Sequence, residues 1–155
     1  WEGGQLRPDA EPPEAAWLRG LLGPEIFDHA VAVDLHDATP AADVTRWLLL
    51  MPELKALAAR NVALDDESLG LVGRLLGLTH LDLSGTPISD QGLKRLERMS
   101  NLSALTLAQT GISDQSVATL GRFRKLRRLD LTNTQMSDQG LQQLADMLPK
   151  CHISH

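Results

Sequence analysis

The chain has 155 residues and a formal charge of −5, so it is sized for one domain with a sizeable core and is unsuited to general polyanion binding. Its single cysteine, Cys151, excludes an internal disulfide framework and any zinc site built on cysteines, and no stretch of 18 apolar residues is available to span a membrane. Aromatic residues are scarce and Tyr is absent, which suits a core made of aliphatic layers.

Residues 1–13, WEGGQLRPDAEPP, are rich in Gly, Pro and acid and read as a linker or tail. The chain opens on Trp1 rather than Met, so it is expected to be a processed or trimmed piece. The lone cysteine leaves the compartment open, with an envelope-associated or secreted location favoured. Pro12 and Pro13 lead into a predicted short helix over 14–22, with Trp17, Leu18, Leu21 and Leu22 mostly on one face. Gly23-Pro24 stops it, and a further helical turn is expected over 25–29. Together 14–29 are expected to cap the N-terminal end of a repeat array, because a terminal repeat exposes its apolar end.

From residue 30 to the end the chain repeats every 24 residues. The clearest copies are LTHLDLSGTPISDQGLKRLERMSNL from Leu78, LSALTLAQTGISDQSVATLGRFRKL from Leu102 and LRRLDLTNTQMSDQGLQQLADMLPK from Leu126. One column reads Val33, Leu57, Leu81, Leu105, Leu129, and its companion reads Leu35, Ala59, Leu83, Leu107, Leu131. Three more columns complete the unit: Thr45, Leu69, Leu93, Val117, Leu141; then Leu48, Val72, Leu96, Leu120, Leu144; then Met51, Leu75, Met99, Phe123, Met147. The register runs on to Ile153, which predicts a sixth, closing strand over 151–154.

Within a unit the period changes. Leu81 and Leu83 alternate with polar residues, as in a short strand. Leu93, Leu96 and Met99 recur at helical spacing. Ser89, Ser113 and Ser137 are natural N-caps, with Asp65 in the same place upstream. Asp90, Asp114 and Asp138 come next, where the helix dipole favours an anion. Units of strand, loop and helix with no reversing hairpin make the strands parallel. Strands stack about 4.8 Å apart and helices need about 10 Å, so the coil must curve with its strands inside.

The pattern LxxLxLxxTxISDxGLxxL resembles the leucine-rich repeat family, over about residues 30–155. It is most similar to the variant with a helix on the convex side, as in F-box-type and many bacterial repeats. The resemblance implies an α/β fold, a right-handed solenoid forming a horseshoe segment, with parallel strands on the concave face and helices on the convex face. F-box-type repeats usually carry Cys or Asn where this chain has Thr86, Thr110 and Thr134, and no F-box is present. A buried Thr hydroxyl there is expected to donate to a neighbouring loop carbonyl, as a ladder along the solenoid. The family implies protein binding through the concave sheet, not chemistry, so the chain is expected to be a non-catalytic interaction or scaffold module. No cofactor, metal, nucleic acid or membrane insertion is implied.

The concave face is expected to display three columns: Ala32, Ala56, His80, Ala104, Arg128; Asp34, Ala58, Asp82, Thr106, Asp130; and His36, Arg60, Ser84, Ala108, Thr132. Asp34, His36, Arg60, His80, Asp82, Arg128 and Asp130 are the candidate protein-binding residues, weighed against an ordinary solvated sheet face. Asp34, Asp82 and Asp130 lie about 9.5 Å from one to the next on an open surface, too far apart to share a proton. An enzyme is therefore disfavoured. Arg60 beside His36 opposes a metal ion there. The basic run Arg122, Arg124, Lys125, Arg127, Arg128 contains the core positions Phe123 and Leu126, and Arg74, Arg98 and Arg122 share a column at helix C-termini. A second candidate surface is apolar. Trp47, Leu49, Leu50 and Leu71 stand in columns that turn polar or to glycine in later repeats, as an outer face through which the chain would dock into a larger assembly, unless the N-terminal segment folds over it.

Overall fold

The computed structural model describes residues 32–35, 48–49, 51 and 53–155. The expected tail over 1–13 and cap over 14–29 lie outside the described residues, as do His36, Trp47 and Leu50.

A strict 24-residue period dictates one strand per turn, and six appear among the described residues: β1 (Ala32–Asp34), β2 (Ala56–Ala58), β3 (His80–Asp82), β4 (Ala104–Thr106), β5 (Arg128–Asp130) and β6 (His152–Ser154). They form one sheet in sequence order, every pair parallel. The register is the period itself, so Val33 pairs with Leu57, Leu57 with Leu81, and so on to Ile153. The sixth strand stands where Ile153 continues the leucine column. Each strand is three residues long, yet the pairing outlasts it: Ala59 N donates to Asp82 O at 2.8 Å and Leu83 N to Thr106 O at 2.9 Å. The backbone groups of the turns are thus satisfied from the next repeat rather than left stranded.

On the outer side the helices among the described residues include α1 (Asp66–Val72), α2 (Asp90–Lys94), α3 (Val117–Leu120, entered through one 3₁₀ turn at Asp114–Ser116) and α4 (Asp138–Met147). α3 is a single turn because β-branched Val117 and Thr119 weaken it. Between sheet and helices the columns close into one core, with Leu69, Leu93, Val72, Leu96, Leu120, Met99 and Phe123 all buried beneath Leu57, Leu81, Leu105 and Leu129.

Two expectations about polar groups need correcting. The Thr86, Thr110 and Thr134 hydroxyls donate to Leu83, Leu107 and Leu131 carbonyls at 2.5, 2.6 and 2.7 Å, three residues back in their own turn. They lock the turn after each strand and form no ladder. The ladder is made instead by the Ser-Asp pairs. The Asp66 carboxylate accepts from Ser89 Oγ at 2.7 Å, Asp90 from Ser113 Oγ at 2.7 Å, and Asp114 from Ser137 Oγ at 2.6 Å. The same serines cap their own helices, and Asp65 caps α1 through Ser68 N. Nor does Arg122 serve the carbonyls of its own helix: its guanidinium reaches Glu97 at 2.7 Å.

After β2, β3, β4 and β5 one residue takes positive φ: Asn61, Gly85, Gln109 and Asn133. At Gly85 (φ +66°) a Cβ would stand 2.2 Å from Asn61 Oδ1. Gly85→Ala is therefore expected to lose about 1–2 kcal/mol from the left-handed backbone alone, read as a lower urea midpoint. An unchanged midpoint would show that the turn relaxes.

Candidate functional site

Alternation along three-residue strands sends the middle residue into the core and its neighbours out. The outward residues line a shallow depression of about 630 Å³ that crosses the whole sheet. Its lining includes Asp34, Arg60, His80, Asp82, Arg128 and Asp130, six of the seven candidate residues of the concave face. The seventh, His36, lies outside the described residues. His152 and Ser154 of β6 line it too. They are absent from the candidates read off the sequence, although stepping 24 residues on from Arg128 and Asp130 leads to them.

The registers turn this face into a grid. The first row reads Ala32, Ala56, His80, Ala104, Arg128, His152, and the second Asp34, Ala58, Asp82, Thr106, Asp130, Ser154. Four alanines keep the floor low. Arg60, just past β2, bridges diagonally: its Nε donates to Asp82 Oδ2 at 2.6 Å, and its guanidinium stands 3.9 Å from Asp34. Asp82 is the sheltered member, with 21% of its side chain exposed against 50% for Arg60 and 56% for Asp34. Its other oxygen accepts from Ser84 N and Oγ at 3.0 and 2.5 Å. Asp130 repeats the device with Thr132 N and Oγ1 at 2.9 and 2.6 Å.

Burial pushes the Asp82 carboxyl up, but the hydrogen bonds from Arg60 and Ser84 outweigh it and hold the group below the usual carboxylate range. A depressed folded value makes this network stabilising above the unfolded pKa of about 3.9, and that contribution is lost as pH falls through the folded value. Arg60→Ala is expected to move the Asp82 titration upward, followed by carboxyl-carbon NMR, so that acid destabilisation begins at higher pH. No upward shift would mean that Ser84 alone sets the value.

His80 stands beside this network, its Nδ1 2.9 Å from Thr79 Oγ1, which also reaches Lys55 O at 3.1 Å. Among the described residues no group of three or more His, Cys, Asp or Glu side chains is placed to hold a metal ion. No helix among them is long and apolar enough to cross a membrane.

Of the outer-face candidates, Leu49 is partly buried and packed against the core, and Leu71 is partly exposed. Thr119, which shares the Leu71 column, is buried. The large hydrophobic most open to solvent among the described residues is Leu76, at 44%. It borders a small groove with Leu49, Met51, Leu54 and Leu75. Sequence reasoning missed it, although Ser100 and Arg124 hold its place in the next two repeats.

A family model described as "Leucine Rich repeat" matches residues 78–96 and 124–145. Characterised proteins show no significant sequence match. Among solved structures the chain is similar to a leucine-rich-repeat protein of Leptospira interrogans, at TM-score 0.54 and 20% identity over 76% of this chain. It spans 28% of that protein. It is also similar to actin-binding site 2 of leiomodin-1, at TM-score 0.63 and 17% identity, covering 91% of this chain and 90% of that one. The C-terminal domain of tropomodulin from Caenorhabditis elegans matches at TM-score 0.63 and 11% identity, over 88% and 91% of the two chains. At such identities the likeness to these structures is one of fold.

Proposed function

Because this chain is a leucine-rich repeat protein, we propose that it acts as a non-catalytic protein-interaction module whose partner lies on the concave sheet face. One observation carries this reading: the depression of about 630 Å³ spans all six strands and has a low alanine floor studded with charged side chains. A surface of that kind supports recognition by charge and shape, with no aromatic anchor of its own. The actin-binding domain of leiomodin-1 lends the fold and leaves the partner open. A catalytic reading has little support, since in the cluster of Arg60, Asp82 and Asp34 the guanidinium is already engaged by the two carboxylates.

The test is capture of binding proteins from the native source by the wild-type chain and two variants. Arg60→Glu with Asp82→Lys keeps the pair's charge sum while reversing its pattern, and is expected to abolish capture. A second reading, docking through the outer apolar face, is supported by the exposure of Leu76 beside Leu49. It predicts instead that Leu76→Glu abolishes capture. Loss with Leu76→Glu alone would overturn the concave reading.

A further inference from the structure

Charge is distributed unevenly along the sheet. Over β1–β3 the carboxylates of Asp34 and Asp82 share the single guanidinium of Arg60, so that part keeps one negative charge in excess. Over β3–β6 the first row carries His80, Arg128 and His152 in one line, and among the described residues no carboxylate lies within ion-pairing distance of Arg128. Asp130, in the second row, has one oxygen taken by Thr132. Ala104 sits in register between His80 and Arg128, so these two stand about 10 Å apart across two strand spacings with a methyl group as the floor between them. His80 and Arg128 thus wall a recess floored by Ala104.

We propose that this recess is the subsite for an acidic side chain, a Glu or Asp of an extended partner segment seated over Ala104 between His80 and Arg128. The proposal rests on the concave reading and names the chemistry of its partner. The carboxylate gains charge-assisted hydrogen bonds from the Arg128 guanidinium, while the His80 ring, held at Nδ1 by Thr79, forms the far wall of the recess. The Asp34–Arg60–Asp82 side, with two carboxylates to one guanidinium, repels further acid and so confines the acidic side chain to the Arg128 end. The exposed Arg124 and Lys125, which already reach Met147 O and Asn101 Oδ1, lie outside the depression.

The test uses a short fluorescent peptide of alternating Glu and Ser, its Lys–Ser counterpart and a short oligothymidylate, read by anisotropy and by amide shifts of the labelled protein. The Glu–Ser peptide is expected to bind saturably and to shift His80, Ala104 and Arg128. Arg128→Glu should weaken it by about tenfold. Ala104→Glu, at a partly exposed position where folding is little disturbed, supplies the carboxylate in place and should abolish binding. Arg124→Glu with Lys125→Glu should leave it unchanged. Preference for the Lys–Ser peptide on the sheet would overturn the acidic assignment while leaving the concave reading intact. Shifts confined to the helices would overturn both. Absence of binding, or oligothymidylate binding as tightly at the same residues, would overturn the proposal.

Discussion

Phe123→Ala is expected to remove about 3–5 kcal/mol of stability, the range for truncating a buried aromatic. Among the described residues Phe123 is the largest fully buried side chain, with 0% exposure. It fills the column that Leu75 and Met99 occupy in the preceding repeats, at the loop where α3 turns back toward β5. The backbone there is tied on both sides, Phe123 N to Leu120 O at 3.1 Å and Leu126 N to Phe123 O at 2.9 Å, so the walls cannot collapse freely into the vacated space. Against a total of about 5–15 kcal/mol for a domain, that loss is large. Phe123→Met installs the residue that the column carries at Met99 and Met147, and is expected to cost about 1 kcal/mol. Urea unfolding of the three proteins checks the order. A Phe123→Ala loss close to that of Phe123→Met would mean that the site closes on truncation.

The second large effect is expected at Asp90, which by its position resembles one more helix-opening acid. Its carboxylate accepts from Ser113 N at 3.0 Å, from Ser113 Oγ at 2.7 Å and from Ser116 Oγ. Ser116 is only 1% exposed, so its hydroxyl has no water to fall back on. Asp90→Ala strands these donors and cuts the tie between two repeats, at a cost of about 3 kcal/mol. Asp90→Asn keeps one acceptor oxygen and should lose about half as much. Thermal melts of the two variants decide this. Equal losses would show that the negative charge near the helix start, and not the hydrogen bonding, is what matters. The neighbouring rung also predicts the acid response. Bonds from Ser137 hold the Asp114 carboxyl below its usual range, so the rung strengthens above the ordinary carboxylate pKa and weakens as pH falls through the depressed value.

Much of the architecture is legible in the residues alone. A 24-residue period without insertion sets a single strand spacing, a parallel sheet and the register that pairs Val33 with Leu57 and Leu129 with Ile153. Two periods inside each unit separate strand from helix, and serine chemistry marks the helix starts at Ser89, Ser113 and Ser137. Alternation within the strands also tells which side chains face outward, and so places Asp34, Arg60, His80, Asp82, Arg128 and Asp130 on one surface. Periodicity reports a face, however, and not a neighbour on it. Only the tertiary structure decides that Asp90 turns to Ser113 of the next repeat, that Thr86 bonds within its own turn and that Arg60 crosses to Asp82. Each of these choices depends on a separation of a few ångströms between side chains distant in the chain, set by how far successive turns are offset. The same holds for the recess over Ala104, which exists because the chains on either side of it are long and its own is a single methyl.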